Sequence, residues 1–124
     1  MSATTTDART KTVDSFLAEL HRLGLEGTVD ASSLTRGLYS TDASNYRVVP
    51  EVVVLPRSKD DVIATVQAAG RHGVPVTVRG AGTSCAGNAV GPGVVINFSR
   101  FMNRVLSVDP GSSTAIVEPG VVLD

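Results

Sequence analysis

Two β-branched runs, "EVVVLP" and "VPVTVR", bracket a helix pattern, and all of it lies within residues 51–79. No other feature narrows the fold as far. Short strands with valine at successive positions are usually covered on both faces, as in parallel sheets. Ser58 stands where a helix N-cap belongs. Asp60 and Asp61 fall in the first turn, where the helix dipole favours acids. Arg71 and His72 fall in the last turn, His72 as an exposed dipole partner, and Gly73 follows as the stop. Val62, Ile63, Val66 and Ala69 mark an apolar face. Both strands are expected to be buried, and together with the helix they make a βαβ unit with a parallel pair.

The second strand runs into "TVRGAGTSCAGNAVGPG", residues 77–93, which holds five of the chain's twelve glycines. A loop here leaves the carboxyl end of a strand, the edge where open α/β sheets collect ligands. Two phosphate-binding patterns fail on particular residues. The dinucleotide fingerprint G-x-G-x-x-G fits Gly80 and Gly82, but Cys85 takes its third place and no helical period follows. The P-loop spacing fits Gly82 and Gly87, but Asn88 and Ala89 replace its lysine and hydroxyl. A third reading is a nest, in which successive backbone N–H groups converge on an anion. Gly80 and Gly82 make that geometry cheap, and Thr83 and Ser84 add hydroxyl donors. Arg79 is either a cation at the strand end or a brace for the loop. A connection that binds nothing fits composition and spacing equally well. Cys85, the only thiol, is expected to be a small buried packing group.

The flanking segments complete an α+β pattern. Residues 1 to about 10 are rich in Thr and are expected to fray. Val13, Phe16, Leu17, Leu20 and Leu23 then fall at helical spacing, with Gly24 as the stop. Residues 26–50 read as loop and turns. "GVVINF" is a third strand candidate. "RVLSVD" and "TAIVEP" flank "PGSS", which predicts a hairpin turning over Pro110–Ser113. We divide the chain into a helix and lead-in, residues 1–45, and a second unit, residues 46–124.

Composition excludes several functions. With a net charge of −1 and basic residues spread along the chain, there is no footprint for nucleic acid. One cysteine allows no internal disulfide and no cysteine-based zinc site. The first residues lack a signal-peptide apolar core, and no apolar run approaches a membrane span. A soluble, cytoplasmic protein is the expectation. No paired carboxylates or metal-ligating cluster suggest a catalytic site, and we assign no catalytic or metal-binding residue.

An ordered string of motifs carries a resemblance: "LP" before the helix, "HGVPV" into the second strand, "RGAGTS" with Gly87 following, "MNRVLSVD", and "VEPGV". From about residue 36 onward the chain resembles the start of the FAD-binding domain shared by vanillyl-alcohol oxidase and p-cresol methylhydroxylase (PCMH-type). Within that superfamily it most resembles the glycolate oxidase and D-lactate dehydrogenase flavoproteins. "LYSTDASNYR" also resembles the opening of bacterial FAD-linked oxidases that carry an extra iron–sulfur domain. The resemblance implies that Arg79, Gly80, Ala81, Gly82, Thr83 and Ser84, with Gly87 and Asn88, wrap the FAD pyrophosphate. It implies that the Pro119-Gly120-Val121 turn lies near the flavin. Relatives that tether flavin through this loop carry histidine where Thr83 stands, so a non-covalent FAD is implied. The family's domain continues beyond this length and a substrate domain follows it, so the chain is expected to be a truncated N-terminal part. The implied parent oxidises a 2-hydroxy acid of the lactate or glycolate type. Another branch of the superfamily and a non-catalytic truncated product are the alternatives.

Overall fold

The computed structural model describes the backbone of residues 2–123 and the side chains of residues 7–123. In chain order the elements are α1 (Ser2–Leu23), β1 (Thr28–Asp30), α2 (Ser33–Leu38), β2 (Val52–Leu55), α3 (Lys59–His72), β3 (Val76–Arg79), β4 (Val94–Asn97), β5 (Val105–Asp109) and β6 (Thr114–Val117). A four-stranded sheet runs in the order β1-β2-β4-β3, and β5 and β6 form a separate hairpin. β2, β4 and β3 are parallel, and β1 joins β2 antiparallel.

The βαβ unit is present, with one rearrangement. β4 inserts between its two strands, pairing Val94 with both Val52 and Val76. β4 therefore takes the centre, and Val94, Val95 and Ile96 are fully buried. β3 becomes an edge strand and is half exposed, not the buried strand expected of "VPVTVR". A V-x-V pattern states that a strand exists, not how many neighbours it has. Side chains alternate across the sheet. Val52, Val54, Val94 and Ile96 share one core with Phe16 and Leu20 of α1 and Ala68 and Ala69 of α3.

The helix caps behave as the sequence predicts. Ser58 Oγ accepts from the Asp61 amide at 3.2 Å, and Gly73 closes the far end. The inward stripe of α3 differs from the expected one. Asp61, Thr65, Ala68 and Ala69 are buried, whereas Ile63 and Val66 are exposed. Asp61 explains the rotation. Its carboxylate accepts from the amides of Glu26, Gly27 and Arg57, each at 2.9 Å, and so turns its own face inward. His72 is not a free dipole partner either. Its Nε2 lies 2.6 Å from Glu19 Oε2, and its ring meets Phe16 edge-on, which fixes α1 to α3.

Three local readings change. Helix begins at Ser2 and replaces the frayed start; Met1 lies outside the described residues. The Lys11–Asp7 pair and the Arg9–Glu51 bridge support that extension. Within residues 26–50, β1 and α2 were not expected. α2 starts at Ser32, whose Oγ accepts from the Thr35 amide at 3.3 Å. The hairpin forms as expected, with a turn over residues 110–113.

Asp61 joins the α1–β1 connection to the start of α3 through three amides. Asp61→Ala should lower unfolding stability by about 3 kcal/mol, because three part-buried amides lose a charged acceptor. Urea denaturation checks this; a change under about 0.5 kcal/mol, the scale of an ordinary surface substitution, would contradict it.

Candidate functional site

The glycine loop leaves β3 at the carboxyl edge of the parallel strands. Residues 81–89 form bends and turns with no regular element. Ala43 N donates to Gly82 O at 3.1 Å. Ser84 Oγ accepts from the amides of Ala86 at 3.3 Å and Asn88 at 3.2 Å. Ala89 N donates to Asp42 Oδ2 at 3.2 Å. Among the described residues, the amides of Ala81, Gly82, Thr83, Ser84, Cys85 and Gly87 have no acceptor. A run of free donors at a strand end suits an anion.

The three loop glycines serve different purposes. Gly82 has φ +74°, and a Cβ there would strike the Arg79 guanidinium. Gly87 has φ +78°, and a Cβ there would lie 2.6 Å from Cδ2 of Tyr46. Packing within the chain accounts for both. At Gly80 a Cβ would meet nothing nearer than Pro119 O, 3.9 Å away. Among the described residues nothing else lies within 4 Å of that position, so a group from outside has access to bare backbone there.

Arg79 is a brace. Its Nη1 donates to Thr41 O at 3.1 Å and to Ala89 O at 3.2 Å, and its guanidinium carbon lies 5.2 Å from the centre of the Tyr39 ring. Its Nε is buried without a partner among the described residues. The charge thus faces carbonyls on both sides of the loop. Asn97, at the end of β4, donates from Nδ2 to Tyr39 Oη at 2.9 Å and holds that ring.

Cys85 is exposed, and its thiol makes only a 3.8 Å contact with Thr83 O. The expectation of a buried packing group is wrong, since the loop turns residue 85 outward. Thr83 and Asn88 are also exposed, while Ser84 is partly covered.

The Pro119 turn stands beside Gly80, through the carbonyl noted above. Gly120 N donates to Met102 O at 2.8 Å, and a Cβ at Gly120 would strike Phe98 O. Glu118 fastens the turn. Its carboxylate accepts from Arg104 Nη2 at 2.7 Å, Arg104 Nε at 3.2 Å and the Arg104 amide at 2.9 Å. The Arg104 side chain, then its amide, holds the Glu118 carboxyl below its usual range.

Sequence reasoning placed Arg79 to Ser84, Gly87 and Asn88 in one loop, and the fold keeps them together. It missed Tyr39, Asp42 and Tyr46, which buttress the loop from a distant stretch. "YSTDASNY" carried the only signal, a cluster of turn-forming residues.

Comparisons with known proteins bear on this loop. Residues 50–124 match the family described as FAD binding domain. D-2-hydroxyglutarate dehydrogenase of Escherichia coli (strain K12) is 39% identical over 112 residues, covering 88% of this chain and 11% of that protein. Glycolate oxidase subunit GlcD of Bacillus subtilis (strain 168) is 35% identical over 95 residues, covering 75% of this chain and 20% of that protein. The solved structure of p-cresol methylhydroxylase with substrate bound superposes with a TM-score of 0.63 at 21% identity, over 93% of this chain and 23% of that one. That last likeness shows a shared fold. The chain spans only about a tenth to a fifth of the length of these curated relatives.

Three outcomes are expected from this geometry. An unfolded glutamate titrates near 4.5, and Glu118 titrates lower in the folded protein. Its contribution is therefore complete above pH 4.5 and disappears as pH falls through the lowered folded value. Hydrogen exchange across β5 and β6, corrected for intrinsic rates, should accelerate relative to β4 over that fall; parallel behaviour of the two would contradict it. In a flavin-loaded protein carrying these residues, Gly82→Asp should abolish flavin retention. It strains a left-handed position, displaces Arg79 and puts a carboxylate beside free amides. Cys85→Ser should leave retention within about twofold, since only a weak thiol contact is lost. The flavin-to-protein absorbance ratio of folded variants decides both; a flavin-replete Gly82→Asp protein would contradict the first.

Proposed function

The chain belongs to the FAD binding domain family, and from that premise we propose that it is the N-terminal FAD-binding part of a longer flavoprotein oxidoreductase acting on a 2-hydroxy acid. The observation that carries this is the set of free amides beside the open Gly80 backbone, within a chain similar to D-2-hydroxyglutarate dehydrogenase and glycolate oxidase subunit GlcD. Residues 46–124 form the FAD-binding unit, and residues 1–45 lead into it.

The residues present fit an FAD pyrophosphate. The amides of Ala81 to Cys85 and of Gly87 would donate to its oxygens. Thr83 and Ser84 offer hydroxyls, and Ser84 is pre-oriented by the two amides it accepts. Gly80 would admit the phosphates to the main chain, and Asn88, exposed at the end of the loop, would complete the set. Arg79 contributes by fixing the loop, and its positive charge favours an anion nearby. Thr83 offers no ring nitrogen, so no histidyl link to the flavin forms at this position, and we take the FAD to be held non-covalently. When bound, FAD supplies the two-electron redox chemistry; this chain's share is to place it. We assign no catalytic residue here. The substrate groups of the parent lie outside residues 1–124. No described helix is long and apolar enough to cross a membrane.

The chain alone should hold FAD weakly. Each charge-assisted hydrogen bond contributes roughly 1.5–3 kcal/mol at most. Ordering the loop and immobilising the ligand cost several kcal/mol. The hairpin residues Val108 and Ile116, and Val122 beyond them, are exposed, so little enclosed apolar seat is available. Flavin-fluorescence titration should show no saturation tighter than about 10 μM, or roughly −7 kcal/mol. The activity is tested on the complete protein containing this sequence. Anaerobic addition of lactate, glycolate or 2-hydroxyglutarate should bleach its flavin absorbance with at least one of the three. A flavin-loaded protein that none of them bleaches would refute the substrate class.

A further inference from the structure

The pyrophosphate loop is not held by its own residues alone. The stretch from Tyr39 to Tyr46 lies outside the family match, which begins at residue 50, yet it touches the loop at five places. Thr41 O accepts from Arg79 Nη1 at 3.1 Å. Ala43 N donates to Gly82 O at 3.1 Å. Asp42 Oδ2 accepts from the Ala89 amide at 3.2 Å. The Tyr39 ring lies against the Arg79 guanidinium, and the Tyr46 ring closes the space at Gly87. These contacts fall on both arms of the loop, residues 79–82 and 87–89. They leave untouched residues 83–85, whose amides have no acceptor among the described residues.

Asp42 is the pivot of this strap. Its Oδ1 accepts from the Ser44 amide at 2.8 Å and from Ser44 Oγ, which folds the strap. Its other oxygen reaches the loop. One carboxylate therefore couples the shape of the strap to the position of Ala89, a buried residue 47 positions along the chain.

We propose that residues 39–46 form the outer wall of the FAD loop and that Asp42 is a positioning residue, setting the loop's affinity for the pyrophosphate without touching it. The proposal rests on the FAD-loop reading above. Asp42→Asn keeps the size of the side chain and can keep the Ser44 contacts through its carbonyl. It then turns an NH2 group toward the Ala89 amide, donor against donor. Ser44→Ala is the companion variant. It removes the hydroxyl contacts within the strap and leaves both Asp42 oxygens in place.

Two readouts on the whole chain separate the strap from the loop reading. The first is amide hydrogen exchange without ligand. Asp42→Asn should speed exchange at Ala89 by about tenfold, the effect of losing one hydrogen bond to a charged group. The β2 and β4 amides should be unchanged. The second is an NMR titration with ADP, which carries a pyrophosphate of the same kind. In the unaltered chain the amides of residues 81–87 should shift, and Asp42→Asn should weaken the apparent affinity by about three- to tenfold. Ser44→Ala should stay within about twofold in both readouts.

Unchanged Ala89 exchange in Asp42→Asn would overturn the strap. Faster exchange with unchanged ADP affinity would overturn its role in positioning the loop for ligand. Should ADP leave amides 81–87 unmoved in the unaltered chain, the FAD-loop reading fails and the proposal with it. The exchange data still report independently on the brace, so the two failures are distinguishable.

Discussion

The position of β4 at the centre of the sheet is the constraint on which the rest depends. A strand buried on both faces must satisfy its backbone on both sides, and β4 does so with β2 on one side and β3 on the other. That arrangement sends the β2-α3-β3 crossover over the sheet. It leaves β3 at the edge, with the loop emerging beside the end of β4. Asn97 then lies level with Arg79 and holds the ring against which Arg79 rests. The site is a consequence of strand order before it is a consequence of any loop residue.

Arg79 and Gly82 form the second level of control. A guanidinium turned back into its own loop occupies the place where a side chain at position 82 would lie. The charge is spent on carbonyls of Thr41 and Ala89, so the loop acquires a fixed shape before any ligand arrives. Pre-organised donors favour binding because less ordering remains to oppose it. Those braces leave the amides of residues 81–85 and 87 free. Support and binding are thus divided between neighbouring residues, and the glycines mark the boundary between them.

What was legible in the sequence was local. Caps at Ser58 and Gly73, the β-branched runs and the hairpin turn each depend on a few adjacent residues, and each is present. β1 and α2 were not legible. β1 is three residues long and is a strand because β2 lies beside it. α2 has no buried residue, so no apolar stripe announces it, and its Leu34 and Leu38 face solvent. Asp61 looked like a helix-dipole acid, but its main partners include amides more than thirty residues away. The loop was legible as a loop, and the resemblance supplied the ligand. Its buttress was not legible, because no local pattern pairs Asp42 with Ala89. The thiol of Cys85 was misjudged because burial of a loop residue is set by the path of the whole loop.

The account's central claim is that this chain leaves a run of loop amides free for a pyrophosphate, while packing fixes everything around them. A crystal structure of the complete flavoprotein with FAD bound tests it most directly. The claim predicts pyrophosphate oxygens at about 2.7–3.2 Å from several amides among residues 81–85 and 87, with Arg79 still bonded to Thr41 and Ala89. Phosphates held elsewhere, with those amides facing water, would contradict it.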